Sequence, residues 1–426
     1  MTSFSRRIDP QESTAIDGIL NGNGFAELVS GRHLAPLFVS RDHSKAHLAF
    51  ELQSICNYPW EWSFDMLKDA ALSVLEVCKR LLEEGWVLQQ TPPAMCQRGH
   101  MLVVDLTCPQ SIDKVTRWSG AHKLCSEYVF PLFAAANGIP FQFWWRGRHS
   151  GICADDISRL LGDDKSRSLV GMLGLATDAQ SSSLSIQAPP LDELQTVFDR
   201  TAAWVAELQP AVSPADAHWL SYAPDAGYSE RQREQKLSFI AETLDKLAAH
   251  RLVDIGANTG MYSLPFADTM RSIVAIDIEP MCVNQMYAAL HECVTPLVGD
   301  IVHPSPPMLG ARPQTSLGLF DRLDGDAFLA VAVIHHVCVP QSLPVAEFVR
   351  RLRLIAPGGV VEWVPPDEPM VADVLAELPV QSADYTWENF VAQVSVHFEL
   401  SECRDVGQRR LCRLMPKSSG PGLTLQ

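Results

Sequence analysis

The chain has 426 residues, more than one compact core accommodates, so two to three domains are expected. Its 47% hydrophobic and 20% charged residues are those of a soluble globular protein, and its formal charge of -16 argues against nucleic acid or an anionic membrane as partner, since both draw on surplus lysine and arginine. No run approaches the ~18 apolar residues of a membrane span, and Met1 to Asp17 has two arginines with no apolar stretch behind them, so neither a span nor a signal peptide is expected.

In chain order, Met66, Leu67, Ala70, Ala71, Val74, Leu75, Cys78 and Leu82 repeat at three and four, which predicts one long amphipathic helix with the aromatic cluster Tyr58 to Phe64 packed at its start. After a turn at Thr91-Pro92-Pro93, Met101 to Leu106 reads as a short strand with Asp105 near its end. Phe141 to Arg148 (FQFWWRGR) is aromatic and basic; it reads either as a stacking surface for a substrate or, more commonly, as a buried cluster whose arginines reach water. Ser181 to Pro190 reads as a loop or linker, Leu191 to Leu208 as helix, and Ser229 as the N-cap of a helix running to Leu247. The eleven cysteines are scattered, with neither a C-x-x-C pair nor a zinc spacing, so reduced, mostly buried thiols in a cytoplasmic protein are expected. No internal repeat is visible, and Pro416 to Gln426, polar with two glycines, is expected to be mobile.

From Ala249 to Leu414 strands and helices alternate. Strands are predicted at Leu252–Ile255, Ser272–Ile276, Thr295–Val298, Phe328–Ile334 and Val360–Val364, with helices at Met261–Met270, Met281–Glu292 and Leu343–Ile355. This implies a doubly wound parallel sheet, and Val396–Leu400 with Arg410–Met415 reads as an antiparallel hairpin at its edge. The first strand runs into Asp254-Ile255-Gly256-Ala257-Asn258-Thr259-Gly260, and the second ends in Asp277, the outline of a nucleotide-type β-α-β unit. The glycine turn alone is weak, because it departs from Gly-x-Gly-x-x-Gly and an NAD-type Rossmann domain shares both the turn and the acid.

With Gly299-Asp300 after the third strand and Ile334-His335-His336 after the fourth, the region resembles the class I methyltransferases that use S-adenosylmethionine. A narrower resemblance is to a bacterial family of large methyltransferases that includes a rhizobial nodulation protein. It is carried by Asn57 to Leu72, Gly85 to Leu106, Trp118 to Leu161, Tyr228-Ser229-Glu230, Val298 to Pro306, Val333 to Val337 and Val361 to Val371. The resemblance implies an α/β fold: a Rossmann-like seven-stranded class I methyltransferase domain with an N-terminal α+β accessory domain. The divisions expected are an accessory or substrate domain at 1–175, a linker and helical connector at 176–240, the methyltransferase domain at 241–416 and a tail at 417–426. Relatives carry a kinase-like Asp-x-x-x-x-Asn pattern before the short strand; Gln90 and Met95 stand there in this chain and only Asp105 keeps its type, which disfavours phosphoryl transfer.

The resemblance implies S-adenosylmethionine as cofactor, bound by Asp254, Gly256, Asn258, Gly260, Asp277, Ile278, Asp300, Ile301 and Tyr228. The residue types suit these roles, since Gly256 and Gly260 let backbone approach, Asp277 can accept both ribose hydroxyl protons, Asp300 suits the adenine amino group, and Asp254 the amino end of the methionine part. His335, His336 and Glu362, at the carboxyl ends of strands four and five, are the catalytic candidates; Asp367 shares that position. One histidine is expected to be structural and the other a general base. A metal site at the pair is disfavoured, as adjacent strand residues face opposite ways and no third ligand is near. The Glu362 to Pro369 loop reads equally as a pocket rim or a cap for the following helix. Without an Asn-Pro-Pro-Tyr-like motif, and with the net negative charge, a small-molecule acceptor is expected, attacked at O or N. Two alternatives stay open: another sulfonium chemistry releasing methylthioadenosine, and a non-catalytic cofactor-binding scaffold. The oligomeric state is not readable.

Overall fold

The computed structural model describes residues 3–42, 45–146, 150–178, 184–211, 229–307, 317–369, 371–372 and 384–417. These fall into two compact units, one holding the described residues up to 211 and the other those from 229 onward. Tyr228, Arg148, Ser181 to Ser183 and most of the C-terminal tail lie outside the described residues.

The first unit is α+β. Strands Ser3–Ile8 and Phe38–Asp42 flank Lys45–Glu51 in an antiparallel sheet, and two small antiparallel pairs join Trp86–Leu88 to Pro109–Ser111 and Ala94–Gln97 to His100–Val103. The long helix is Phe64–Glu83, started by Ser63, whose hydroxyl accepts from the Met66 N–H. Its periodic residues Met66, Leu67, Ala70, Ala71, Val74 and Leu75 are all buried. The aromatic cluster is tied down by Asn57, whose Oδ1 accepts from Trp62 Nε1 at 2.8 Å and from the Cys96 N–H at 3.0 Å. Helix Leu194–Glu207 packs along the long helix, so the segment expected as linker and connector is shared between the units. The aromatic-basic run forms the short helix Phe141–Trp145 with divided faces: Phe141 and Trp145 are buried, while Phe143 is 77% and Trp144 38% exposed.

The second unit contains a seven-stranded sheet. We number its strands β1 (Arg251–Ile255), β2 (Ser272–Asp277), β3 (Val294–Val298), β4 (Ala327–Ala330), β5 (Gly359–Trp363), β6 (Phe398–Val406) and β7 (Arg409–Pro416). Their spatial order is β3-β2-β1-β4-β5-β7-β6; the first five are parallel, and β7 runs antiparallel between β5 and β6. This is the class I methyltransferase order. Burial on both faces explains the unbroken apolar runs, with Ile273 to Ile276 in β2 and Ala327 to Ala330 in β4 almost wholly enclosed. Helix α1 (Glu230–Leu247) is capped by Ser229, as expected, with Gln232 completing the capping box, and it meets the hairpin through Arg413 Nε on Thr243 Oγ1 at 2.9 Å and Arg404 on Glu242 at 2.8 Å.

Two predicted elements differ. Met261 to Met270 is a chain of tight turns with one 3-10 segment, Leu264–Phe266, not an α-helix. Pro265 contributes no N–H, and successive i to i+3 bonds (Phe266 to Ser263, Ala267 to Leu264, Thr269 to Phe266) close the segment instead. β4 also stops at Ala330 rather than Ile334, because Ala332 takes a left-handed turn (φ 58°) that directs the chain into the short helix α2 (Ile334–Cys338).

Candidate functional site

Strand order reverses between β1 and β4, and open α/β sheets bind ligands beyond the carboxyl ends of strands at such a point. A cavity of about 330 Å³ lies there, lined from the ends of β1, β2 and β3, from the turn after β4 and from Arg409 at the start of β7.

The β1 turn is built for close approach. Gly256 has φ 64°, and a Cβ there would meet Val333 Cγ2 at 2.4 Å; Gly260 has φ 82°, and a Cβ would meet Leu264 Cγ at 2.5 Å. Between them Asn258 holds a left-handed φ of 50°, which asparagine tolerates better than most residues. Its N–H donates to Asp277 Oδ2 at 2.7 Å, and its Oδ1 accepts from the Thr259 N–H at 2.8 Å.

Among the described residues Asp277 is hydrogen-bonded by backbone N–H groups: Oδ1 accepts from Glu279 at 2.8 Å and Oδ2 from Asn258 at 2.7 Å. Burial raises its pKa, and those N–H groups oppose the shift. A carboxylate has about four acceptor sites, so capacity is left on the cavity side. Ile278, an isoleucine 51% exposed at the strand end, and buried Ile301 both line the cavity. Asp300 also lines it, with Oδ1 on the Val302 N–H at 2.7 Å and Oδ2 on His303 Nδ1 at 2.8 Å.

Asp254 lies deeper, two residues before Gly256. Burial pushes its carboxyl up to about 7; the Ser263 hydroxyl opposes the shift and Asp277 adds to it. Its Oδ2 is sealed with no hydrogen bond of normal geometry among the described residues. Such a group is costly unless a cation approaches.

At the other end of the cavity stand His335 and His336, on the first turn of α2 rather than on a strand, with ring centroids 3.9 Å apart. A strand's alternation therefore does not apply, and both residues line the cavity. Burial, then His336 and Arg409, hold His335 well below the ordinary histidine pKa. Among the described residues no three His, Cys, Asp or Glu side chains gather to ligate a metal.

Glu362 is placed differently. It lies inside β5, fully buried, with Oε1 2.7 Å from Lys236 Nζ, and it does not line the cavity. Burial, against the attraction of Glu362, brings Lys236 down to about 8. Of the acidic loop after β5, Asp367 is exposed, whereas Glu368 accepts from the Val371 N–H at 3.3 Å and pairs with Arg409 at 2.8 Å.

The sequence reading missed Arg409, Met261, Tyr262, Val333 and Ala332 as lining residues. Arg409 arrives from β7, next to the edge strand of the sheet and more than a hundred residues from the glycine turn, and only its place after Gly407 marks a turn. Met261 and Tyr262 were hidden by the predicted helix.

In the first unit, Asp105 is buried with both carboxylate oxygens 2.7 Å from Arg6 Nε, and Arg6 also bonds Glu12 and the Leu106 carbonyl. Gln90 is exposed and Met95 buried.

No family model matches the chain. Over 363 residues it is 26% identical to the nodulation protein NoeA of Rhizobium meliloti (strain 1021), a match covering 79% of this chain and 75% of that protein. Solved structures similar to it include a magnesium protoporphyrin IX methyltransferase from Synechocystis PCC 6803 with bound SAH (12% identity, TM-score 0.33, 47% of this chain and 92% of that one). They also include the N-methyltransferase NodS from Bradyrhizobium japonicum WM9 (10%, 0.33, 44% and 99%) and the bifunctional kinase-methyltransferase WbdD (19%, 0.34, 46% and 45%). Over most of its length the chain is similar to a rhizobial nodulation protein, and by its own strand order its second unit has the class I methyltransferase fold.

Proposed function

We propose that this protein is an S-adenosylmethionine-dependent methyltransferase that methylates an O or N atom of a small, specialised metabolite. The observation that carries this reading is one cavity, at the reversal point of a 3-2-1-4-5-7-6 sheet, that joins a close-approach glycine turn to an open carboxylate, Asp277, and continues to a histidine pair.

The residues fit the methyl donor. Asp277 would accept the ribose hydroxyls, Ile278 and Ile301 would cover the adenine faces, and Asp300 would meet its amino group. Asp254, buried and short of a partner on Oδ2, would be relieved by the ammonium of the methionine part. Gly256, Asn258 and Gly260 shape the turn around it, and Tyr228 belongs to the same proposed set by resemblance. When bound, the donor supplies an electrophilic methyl group for in-line displacement. What the chain must add is alignment of an acceptor with that carbon, and the wall formed by His335, His336 and Arg409 is where it would do so. Glu362, buried in β5 and paired with Lys236, does not line the cavity, and we read it as a member of the sheet rather than a catalytic group. The first unit we read as an accessory domain serving the acceptor, and the protein as cytoplasmic; no helix among the described residues is long and apolar enough to cross a membrane.

Isothermal titration with S-adenosylmethionine and S-adenosylhomocysteine tests the reading. Binding in the micromolar range is expected, with Asp277→Ala about 100-fold weaker, as two hydrogen bonds to a charged acceptor are lost. No binding to the wild type, or an unaffected variant, would sink it. Mass spectrometry of the spent cofactor then reads the chemistry: S-adenosylhomocysteine is expected, and methylthioadenosine would replace methyl transfer with another sulfonium reaction.

A further inference from the structure

The histidine pair carries more than its position, and its role in the acceptor site rests on the methyl-transfer reading. Nδ1 of His335 is sealed from solvent and has no hydrogen-bond partner among the described residues, yet the residue lines the cavity. Nε2 is therefore the ring atom left for a polar contact there. A neutral imidazole carries its proton on one nitrogen only. Placed on Nδ1, that proton would be a buried N–H with no acceptor, which folded proteins tolerate less readily than a buried acceptor without a donor. Placed on Nε2, it turns a donor toward the cavity. A histidine base also needs an acceptor behind it, to fix the opposite tautomer and to steady the imidazolium it becomes. His335 has none among the described residues.

The charged neighbours point the same way. Arg409 and His336, which share the cavity wall, join burial in disfavouring a second proton on His335. Two acids outside the cavity lining carry cations of their own, Glu368 with Arg409 at 2.8 Å and Glu362 with Lys236 at 2.7 Å, and Lys236 Nζ also lies 5.4 Å from the Tyr262 ring centroid. The acids that do line the cavity, Asp277 and Asp300, stand at the ends of β2 and β3, where they accept from backbone N–H groups and, for Asp300, from His303.

We propose that His335 is a hydrogen-bond donor and not a base, and that its Nε2–H, on a wall shared with Arg409, receives an acceptor that arrives already ionised: a carboxylate, methylated on oxygen to give an ester. A lone pair of the carboxylate oxygen forms the O–CH3 bond while the S–CH3 bond breaks and its electron pair goes to sulfur. The carboxylate and sulfonium charges cancel, and no proton moves. An alcohol or phenol, with a pKa of about 10 or above, would need a proton acceptor that His335 in this tautomer is not.

The first measurement needs no turnover. 15N NMR of the histidine side chains in the ligand-free protein, with His335 assigned by its absence from His335→Gln, should show an Nε2–H ring that does not titrate between about pH 5.5 and 8. The protein loaded with S-adenosylhomocysteine is then titrated with benzoate and with benzyl alcohol, which share a ring but not a charge. Benzoate should bind at least about tenfold tighter. That preference should survive in His335→Gln, whose amide nitrogen stands near Nε2, and fall about tenfold in His335→Ala. An Nδ1–H ring, equal binding of the two probes, or a His335→Gln loss as large as that of His335→Ala overturns the proposal. So does a kcat/KM for benzoate methylation that falls below about pH 6.5 and flattens in His336→Gln, which would make His336 the base. Failure to bind S-adenosylhomocysteine defeats the methyl-transfer reading instead, and the tautomer and benzoate titrations on the free protein still decide the role of His335.

Discussion

Asp105 in the first unit stands just past a short apolar strand and Asp277 in the second ends one, and each is nearly enclosed, 2% and 6% exposed. They differ in what satisfies them. Asp105 receives Arg6 Nε on both oxygens, and Arg6 directs its remaining reach to Glu12 and the Leu106 carbonyl. Asp277 receives two backbone N–H groups and, among the described residues, no side-chain cation, beside a cavity. The first site is closed in charge and the second open. An acid satisfied by its own chain is a structural member, whereas an acid oriented by backbone and left with spare lone pairs is ready for a ligand. This contrast supports assigning the cofactor to the second unit and reading Asp105, alone of its kinase-like motif, as a fold element.

The largest effect should come from opening the closed site. Arg6→Ala removes the cation from a buried carboxylate and should cost about 3–5 kcal/mol in urea unfolding. Arg6→Met combined with Asp105→Leu should recover most of that, as apolar replacements often do. The affinity of the second unit for S-adenosylhomocysteine should not change in any variant that remains folded. A cost below about 1 kcal/mol for the single change would mean that Asp105 is not held in the way the geometry indicates. A milder change to the open site sharpens the other half of the comparison. Asp277→Asn keeps an acceptor oxygen but loses the charge, so calorimetry should show the methyl donor bound about tenfold weaker, between the wild type and Asp277→Ala.

The parts of the fold that were legible in the sequence are those written in local pattern. The period of three and four from Met66 to Leu75, the continuous apolar runs of β1, β2 and β5, and the Ser229 cap each state their own structure over a few residues. So does the hairpin pairing Phe398–Val406 with Arg409–Pro416. Helical pattern misled at Met261 to Met270, where Pro265 and the bonds around Gly260 outweigh it, and an apolar run misled at Phe328 to Ile334, where one left-handed alanine ends the strand early. The residues proposed to hold the cofactor are those that motif and chain order place together. The wall proposed to meet the acceptor is legible only in part. Arg409 reaches it by tertiary folding from another strand, and Lys236 turns inward from a helix whose charged pattern reads as solvated, so neither has a local signature.

A smaller effect tests whether Asp254 belongs with the open acid or the closed one. Its carboxyl is raised from 3.8 to about 7, chiefly by burial, so between those values the folded chain holds a proton that the unfolded chain releases. Stability contributed by this group is therefore lost as pH rises from about 4 to 7, and the loss is complete above the folded pKa. Asp254→Asn removes the titration. It should raise unfolding stability at neutral pH by about 2 kcal/mol, with little gain at pH 4, so that the stability curve flattens across that window. The same variant should bind the methyl donor more weakly, because the ammonium that would relieve the buried carboxylate finds no charge to meet. A variant gaining stability without losing affinity would place Asp254 with Asp105, as an element of the fold; a variant losing both would show that the carboxylate is already satisfied in the free protein. Gain in one and loss in the other is the outcome expected of an acid held in reserve for a cation.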